Sequence, residues 1–451
     1  MTPPPDPFDY GAAWYPLTPL EDLEPGRPTP VELLGRRYVI WKPASGAYRV
    51  FLDLCPHRLA PLSEGRLDAS GERLMCSYHG WCFDAEGRCR RIPQASPAEP
   101  AERRAGQLAA TALPVREAVG LLWLWPEATS AARAEATPLP LSPFASEQDG
   151  FRCSSLIREL PYDWTTLVEN VADPAHVPFA HHGVQGWRER AVPIPMRMVC
   201  ESRERLEAMI PSRAIASGTR IVFRPPCLLE YQFSFPGPRR MGLITYCLPV
   251  APGRSRVVAL FSRDWTPGWR EWRPRWWDHL SNRNEVLDGD LVLLDRQERE
   301  RRRRAAGPPE ASDWRRDYRL PTSADRLVIA FLHWLERHGA PPWPQLMPGV
   351  QPPATGGPEP APAQLLDRHA QHTRHCASCR RALALTRRGQ LVAVLLAFAA
   401  LAAAALLPEG LRFSLGVALV LLAALALTLA AALRWWLEPA FRFRPYDHTR
   451  R

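Results

Sequence analysis

The sequence predicts an α+β protein with an N-terminal all-β domain, a second domain of antiparallel sheet and helices, and a C-terminal transmembrane helical hairpin. Short apolar runs punctuated by Gly and Pro, between residues 12 and 125, are typical of small antiparallel β structure. Longer strand-like runs mixed with helical segments, from 151 to 338, favour a sheet with packed helices. Two nearly uncharged runs near the C-terminus are long enough to cross a bilayer.

Two segments between these parts are predicted to be irregular connections. Residues 126 to 150, rich in Pro, Ala, Ser and Glu, are interpreted as a linker. Residues 339 to 363 are rich in Pro and Gly and are expected to form an extended tether. Residues 364 to 388 then carry a C-x-x-C pair and lead into the hairpin, 389 to 434.

Length, composition and charge favour a folded multidomain protein and argue against a nucleic-acid-binding protein. With 451 residues, 46% of them hydrophobic, the chain can form two or three folded domains. The net charge is +10, but no nucleic-acid motif accompanies the scattered arginines, so no nucleic acid is expected as a partner. The Arg-rich run 296 to 307 is interpreted as a solvated face or a surface near anionic lipid headgroups.

The cysteine content and the N-terminal sequence indicate in which cellular compartment the protein folds. Ten cysteines do not form a dense disulfide pattern in a chain of this size, which favours a reducing environment. The N-terminus lacks the features of a signal or transit peptide. The expectation is therefore a prokaryotic gene or a targeting segment already removed.

The predicted hairpin consists of apolar runs at 391 to 407 and 411 to 433, separated only by PEG. Buried helices of a soluble core would give similar runs, but two in tandem favour a membrane hairpin. Arginines flank both outer ends, so both are expected on the cytoplasmic or stromal side, together with the soluble domains. They are Arg380, Arg381, Arg387 and Arg388 before the hairpin, and Arg434, Arg442, Arg444, Arg450 and Arg451 after it.

The first candidate metal site combines two cysteines with two histidines. Cys55-x-His57 is followed, after 18 intervening residues, by Cys76-x-x-His79. Two cysteines can hold one iron of a [2Fe-2S] cluster while two histidines hold the other. Zinc is the alternative, but zinc fingers place both cysteines before both histidines. The alternating order therefore favours a Rieske cluster.

With these motifs the chain resembles the Rieske non-haem iron oxygenases, and more narrowly the pheophorbide a oxygenase group of chloroplasts and cyanobacteria. The spacer between the two Cys/His pairs is about one residue longer than is usual in that family. This departure lengthens a loop and leaves the ligands untouched. The similar stretches are 12 to 36, 55 to 67 (CPHRLAPLSEGRL), 77 to 83 (SYHGWCF), 92 to 95, 160 to 184 and 318 to 331.

The second candidate metal site lies in ENVADPAHVPFAHHGVQG, residues 169 to 186. Asp173-x-x-His176-x4-His181 supplies two imidazoles, and one carboxylate would complete the 2-His-1-carboxylate triad of Fe(II) oxygenases. On an ideal helix the two histidines would point about 140° apart. We therefore expect the backbone to bend between them, and Pro178 is placed to cause this.

The third iron ligand is predicted to come from far along the chain. EVLDGDLVLLDRQE, residues 285 to 298, lies where the resembling family carries its distal carboxylate. Asp290 aligns best with that position, Asp288 is the alternative, and an ordinary helix acid remains open. His182 is interpreted as a neighbour or surface residue rather than a ligand.

The resemblance also implies a path for electrons. In the family an Asp bridges a cluster His of one subunit to an iron-ligand His of the next, in a head-to-tail trimer. Carried over, Asp173 would link His79 of one chain to His176 of another. Asn170 and Glu169 are then candidates for supporting roles beside the iron.

Four further cysteines have open interpretations. Cys82 and Cys89 follow the cluster ligands and could pair or tune the cluster, although small buried thiols are the more frequent outcome. Cys376-x-x-Cys379 could be a redox dithiol, half of a metal site or two incidental thiols. The resembling group carries a C-x-x-C here that is associated with control by thioredoxin.

Taken together, the resemblance implies a membrane-anchored oxygenase with a [2Fe-2S] cluster and mononuclear Fe(II). Reduced ferredoxin is the expected electron donor, O₂ the co-substrate, and an apolar tetrapyrrole, with pheophorbide a leading, the substrate. The expected location is the thylakoid or plasma membrane of a cyanobacterium-like cell, with the protein as a homotrimer. The alternatives are an oxygenase of another pigment or apolar substrate, and a membrane redox protein that does not oxygenate.

Overall fold

The described part of the chain forms two compact units. The structure is a computed structural model that describes residues 7–96, 108–211, 217–265, 273–305, 313–339 and 359–450. The first unit comprises Met1–His182, Gly186–Pro267 and Leu293–Gly357, and the second comprises Gly183–Gln185, Gly268–Val292 and Pro358–Arg451. Residues 340 to 358 of the predicted tether, 339 to 363, lie outside the described residues.

The first unit begins with three small antiparallel sheets, which confirms the predicted all-β N-terminal domain. Their strand orders are β1-β11-β10, β2-β3-β4-β9 and β5-β6-β7-β8. The strands are β1 (Tyr15–Pro19), β2 (Thr29–Leu33), β3 (Arg36–Trp41), β4 (Arg49–Leu52), β5 (Arg66–Leu67), β6 (Leu74–Met75), β7 (Cys82–Phe83), β8 (Cys89–Arg91), β9 (Ala112–Leu113), β10 (Val115–Ala118) and β11 (Leu121–Leu124).

A shared apolar core joins two of these sheets behind the first candidate metal site. Trp41 of β3 and Phe51 of β4 pack edge to face, with ring centroids 5.4 Å apart. Phe83 of β7 is buried in the same cluster, together with the thiols of Cys55 and Cys76. The core therefore anchors the start of each loop that carries a Cys/His pair.

The segment predicted as a linker, 126 to 150, contains a short helix, α1 (Ala131–Ala136), that is tied to the β domain. The Arg116 guanidinium donates to the carbonyls of Ala134 and Thr137, both at 3.1 Å. These bonds satisfy carbonyls at the C-terminal end of α1, where a helix lacks its own partners. The Pro-, Ala-, Ser- and Glu-rich composition of this segment did not predict its contact with Arg116.

The rest of the first unit is built on a seven-stranded antiparallel sheet, as the strand-like runs predicted. Its order is β12-β18-β17-β16-β15-β14-β13. The strands are β12 (Arg152–Leu160), β13 (Arg197–Glu201), β14 (Leu206–Pro211), β15 (Gly218–Arg224), β16 (Leu228–Ser234), β17 (Arg240–Ala251) and β18 (Arg254–Arg263). The helices that follow α1 in the chain are α2 (Trp164–Ala172), α3 (Val177–Ala180), α4 (Arg275–Asp278), α5 (Asn284–Ala305), α6 (Trp314–Asp317) and α7 (Arg326–Arg337).

Aromatic packing holds α2 and α7 against this sheet. Phe331 of α7 contacts Phe223 of β15, with centroids 5.1 Å apart, and Trp164 of α2, at 6.1 Å. A capping box precedes α7, in which the Thr322 hydroxyl donates to Asp325 at 2.7 Å. Helix α2, which leads into the second candidate metal site, is thereby fixed at its buried end.

The second unit combines α4, the start of α5 and the C-terminal segment. A π-helical turn, His279–Arg283, connects α4 to α5. Later in the chain come a short helix, Pro362–Leu365, and a π-helical turn, His369–Thr373. One hydrophobic core joins the π-helical turn after α4 to the C-terminal segment. Its buried residues are Leu280, Cys376, Cys379, Ala382, Leu383, Ala440 and Phe441.

Two long apolar helices form most of the C-terminal segment. Ala377–Ala405 and Glu409–Ala440 are each long and apolar enough to cross a membrane. They contact one another through small residues, where Ala397, Ala400, Ala423 and Ala426 form a buried cluster. Their large apolar side chains point outward, so that Phe398 is 66% and Phe413 89% exposed.

Candidate metal centres

Two loops of the same backbone design carry the first set of candidate metal ligands. In one loop the Leu59 N–H donates to the Cys55 carbonyl at 2.9 Å, and in the other the Gly80 N–H donates to the Cys76 carbonyl at 3.0 Å. Leu59 and Gly80 occupy equivalent places, and both have a positive φ, +60° and +70°. The loops therefore present their Cys/His pairs in matching ways.

The four side chains divide into a buried pair and a surface pair. The Cys55 and Cys76 thiols are each 2% exposed and lie within hydrogen-bonding reach of one another. The imidazoles of His57 and His79 lie toward the surface, with ring centroids 4.5 Å apart, and His57 stacks on Trp81 at 4.6 Å. A cluster with two thiolates on one iron and two imidazoles on the other fits this arrangement.

Electrostatics at this site suit a bound cation. Burial raises the pKa of the Cys55 thiol to about 12, so its thiolate is costly until a metal ion stabilises it. Desolvation, with smaller contributions from His57 and Arg58, lowers the pKa of His79. His79 therefore favours the neutral imidazole that can bind a metal.

Cys82 and Cys89 are free thiols rather than a disulfide, and both are fully buried. They lie on the neighbouring strands β7 and β8. The Cys82 thiol lies 3.3 Å from the carbonyl oxygen of Gly80, inside the second ligand loop. The simpler sequence interpretation, two small buried thiols, agrees with this placement.

The second set of candidate ligands lies just beyond α2. His176 immediately precedes the four-residue helix α3, and His181 immediately follows it. Pro178 lies in the first turn of α3, and His181 leaves helical geometry with a φ of −113° and a ψ of 29°. The Nε2 atoms of the two imidazoles face each other at 3.1 Å. Two nitrogens about 2.1 Å from one metal ion in adjacent positions would lie roughly 3 Å apart.

A backbone contact orients His176 for this role. Its Nδ1 lies 2.5 Å from the Asp173 carbonyl oxygen and donates to it, which leaves Nε2 as the acceptor that can bind a metal. The Asp173 carboxylate is 3.8 Å from the same Nδ1, and burial raises the pKa of its carboxyl. Asn170, in the last turn of α2, is half-buried, and its backbone carbonyl accepts from the Asp173 N–H at 3.2 Å.

Two neighbouring residues have structural contacts instead. His182 accepts the Arg188 N–H through Nδ1 at 3.1 Å, in agreement with its interpretation as a neighbour rather than a ligand. The Glu169 carboxylate is 6% exposed and accepts from Arg301 at 2.8 Å and from the Tyr318 hydroxyl at 3.0 Å. Glu169 therefore ties α2 to two distant segments, a role that sequence reasoning missed.

The two carboxylates considered for the third iron ligand differ in their surroundings. Asp288 is fully buried and accepts from the Arg368 guanidinium, with the Nε and Nη2 atoms at 2.7 and 2.6 Å. A buried carboxylate in such a pair is neutralised by its partner. Asp290, two residues later on α5, is 4% exposed.

The C-x-x-C pair is buried in the second unit. Cys376 and Cys379 are both 0% exposed and free of a disulfide. They lie beside His279 and His372, two histidines that sequence reasoning did not select. His372 lies in the stretch HTRHC, four residues before Cys376, so its spacing was a usable signal, whereas His279 is 93 residues further upstream.

Comparison with known proteins identifies the class. Residues 13–111 match the family described as the Rieske [2Fe-2S] domain, and residues 223–307 match the family described as pheophorbide a oxygenase. The crystal structure of dicamba monooxygenase bound to dicamba superimposes with a TM-score of 0.58 at 21% identity, covering 72% of this chain and 96% of that one. The matches to these families and the shared fold identify the chain as a Rieske non-haem iron oxygenase.

Two relatives that match nearly the whole of this chain narrow the class of oxygenase to one family. Pheophorbide a oxygenase of Oryza sativa subsp. japonica is 37% identical over 475 residues, which covers 98% of this chain and 85% of the relative. Flavonoid 8-hydroxylase 2 of Ocimum basilicum is 32% identical and covers 98% and 86%. The chain belongs to the pheophorbide a oxygenase family.

The second ligand loop yields a test of cluster assembly. We expect Gly80→Ala to lower [2Fe-2S] content, because a Cβ there would lie 2.9 Å from Cγ of Pro93 at a φ of +70°. Gly120→Ala is the matched control, since Gly120 has a φ of +72° but no atom within 4 Å of an added Cβ. Cluster content is read from the visible and electron paramagnetic resonance spectra. Equal cluster loss in both variants would contradict a specific packing requirement at Gly80.

Proposed function

We propose that the protein is a membrane-anchored oxygenase that uses O₂ and electrons from a reduced ferredoxin to oxygenate a chlorophyll-derived tetrapyrrole, with pheophorbide a as the leading substrate. The observation that carries the oxygenase chemistry is the facing pair of imidazole Nε2 atoms of His176 and His181, 3.1 Å apart. The tetrapyrrole class is supported by the near full-length relative named pheophorbide a oxygenase.

The proposed metal ligands form two centres, one that would supply electrons and one that would react with O₂. Bound to the protein, the [2Fe-2S] cluster would supply single electrons, and the Fe(II) would supply chemistry with O₂. Cys55, Cys76, His57 and His79 would hold the cluster. At the second centre, His176 and His181 would occupy one side of the Fe(II) ion and leave its other positions open.

Asp290 is the proposed third ligand. Helix α5 is continuous, and Asp290, Leu294 and Glu298 follow one another at intervals of four residues, on one stripe of it. Glu298 accepts from the Asp163 N–H at 2.5 Å and from the Thr166 hydroxyl at 2.9 Å, both at the start of α2. The part of α5 that carries Leu294 and Glu298 therefore faces α2. Asp290 is proposed as the ligand because it aligns with the distal carboxylate of the resembling family.

Asp173 is proposed to carry electrons between subunits of a homotrimer. The side of the cluster loops that holds His79 exposes apolar side chains, with Leu59 69% and Tyr78 58% exposed. Such a surface suits coverage by a second copy of the chain. Asp173, next to His176, would then hydrogen-bond to His79 of the neighbouring subunit and orient both rings.

The two apolar helices are proposed to form the membrane anchor. At one end, Glu438 accepts from Arg387 at 3.0 Å and from Arg434 at 3.1 Å, so the basic flanks of both helices meet there. Trp435 and Trp436 are 72% and 77% exposed near the same end, as expected at a membrane interface. This arrangement favours both flanks on the cytoplasmic or stromal side.

A flavonoid is the second candidate substrate. The relative named flavonoid 8-hydroxylase 2 also covers 98% of this chain, at 32% identity. Flavonoids and tetrapyrroles are both planar and largely apolar, so one fold can serve either class by changes in side chains lining the substrate site.

The mononuclear centre is tested by removing one histidine. His176→Ala should abolish mononuclear iron and keep the cluster spectrum, because its ligand atom belongs only to the second centre. His182→Ala, six residues later, is the matched control and should keep both centres. Iron analysis and cluster spectroscopy give the two readouts. Loss of both centres in His176→Ala would mean that the two sites are misassigned.

The third ligand is tested by exchanging two acids of α5. Asp290→Asn should lower mononuclear iron at least tenfold, whereas Asp288→Asn should keep iron and lower stability. The expected stability loss is about 3–5 kcal/mol, because the buried Arg368 loses its partner. Thermal unfolding and iron content separate the outcomes. Retention of mononuclear iron in Asp290→Asn would remove Asp290 from the triad.

The substrate is tested by reconstitution. The protein in detergent is loaded anaerobically with iron and supplied with ferredoxin and its reductase. It is then exposed to O₂ with pheophorbide a, chlorophyllide a, protochlorophyllide or a flavone, and products are identified by mass spectrometry. We expect an oxygenated product from pheophorbide a. Turnover of the flavone alone, or of no pigment despite full iron content, would contradict the tetrapyrrole proposal.

A further inference from the structure

A third group of side chains that can bind metal lies in the second unit, and it shares no residue with the two candidate iron sites. His279, His372, Cys376 and Cys379 place one ligand atom each so that all four lie within 4.8 Å of one another. His279 belongs to the π-helical turn before α5, and His372 to the π-helical turn before the first apolar helix. Cys376 is the N-cap of that helix, and Cys379 lies in its first turn.

The distances match the edges of a tetrahedron around one metal ion. His372 Nε2 lies 3.0 Å from His279 Nδ1 and 3.3 Å from the Cys379 sulfur. His279 Nδ1 lies 3.6 Å from the Cys376 sulfur and 3.5 Å from that of Cys379. With zinc bonds of about 2.3 Å to sulfur and about 2.1 Å to nitrogen, these edges would be roughly 3.4 Å for N–N and roughly 3.6 Å for N–S.

The local fold brings three of these ligands together from one short stretch. The Cys376 N–H donates to the His372 carbonyl at 3.1 Å, which places their side chains one helical turn apart. The Arg380 N–H then donates to the Cys376 carbonyl at 2.9 Å and starts the helix that carries Cys379. A spacing of H-x3-C-x2-C is compact enough for one ion, and His279 closes the set from the other side.

Burial distinguishes a metal site from an exchangeable dithiol. Cys376, Cys379 and His372 are 0% exposed and His279 is 1% exposed. Thiol–disulfide exchange needs access of an attacking thiolate to a sulfur atom, which this burial denies. Four protein ligands with no open position are typical of structural zinc rather than catalytic zinc.

We propose that His279, His372, Cys376 and Cys379 bind one structural Zn²⁺ ion. Binding releases the two thiol protons to solvent, and the two thiolates balance the charge of the ion. The Arg275 guanidinium donates to the Cys376 sulfur at 2.9 Å and orients it. The ion joins the turn that leads into α5 to the start of the first apolar helix. This inference is independent of the proposed function, because none of its ligands holds iron there.

Metal analysis of the full-length protein tests the site. The protein is purified in detergent under anaerobic conditions, and zinc and iron are measured by mass spectrometry together with protein concentration. The variants are His372→Asn and Cys379→Ser. Their matched controls are His375→Asn, three residues from His372 but outside the group, and Cys200→Ser, on β13 of the first unit. Cobalt replacement gives a second readout through the visible absorption of tetrahedral, thiolate-bound Co²⁺.

We expect one zinc per chain in the wild type and both controls, and at least a tenfold loss in both variants. Iron content should stay near that of the wild type wherever the protein folds. If a variant does not fold, the cobalt spectrum of the wild type still decides whether thiolates bind a tetrahedral ion. Wild type that takes up neither zinc nor cobalt, or that carries a Cys376–Cys379 disulfide, would overturn the proposal. Iron content and turnover test the oxygenase separately.

Discussion

The hydrogen bond between His176 Nδ1 and the Asp173 carbonyl is the interaction on which the oxygenase assignment depends most. A histidine can bind iron only through an unprotonated nitrogen, and this 2.5 Å contact places the proton on the other side of the ring. The short helix α3 then turns His181 so that its Nε2 faces the same point. A backbone contact orients the His176 imidazole, and the end of α3 positions His181 beside it.

The surrounding fold serves to keep that backbone in place. Trp164 at the start of α2 packs on Phe331, and Glu169 near its end is held by Arg301 and Tyr318. Removing one partner of this buried contact would leave the other charge unpaired, which is strongly destabilising. The end of α2, and with it the two histidines, is thereby fixed relative to the sheet.

Local spacing predicted the ligands that lie close together in the sequence. Cys55, His57, Cys76 and His79 come from two loops whose motifs are short, and His176 and His181 come from one turn. The preference for Asp290 over Asp288 came from a family resemblance. The ion pair between Asp288 and Arg368, 80 residues later, could not be read from spacing. Sequence spacing could not reveal His279 either, because only the folded chain brings it to the C-x-x-C pair.

The count of iron per chain tests the central claim most directly. Anaerobically reconstituted wild type should hold about three irons per chain, two in the cluster and one at His176 and His181. Total iron is measured by elemental analysis, and cluster iron by the spin count of the reduced [2Fe-2S] signal. The difference should be one iron that His176→Ala lacks. A value of about two, all of it in the cluster, would contradict an oxygenase and favour an electron carrier.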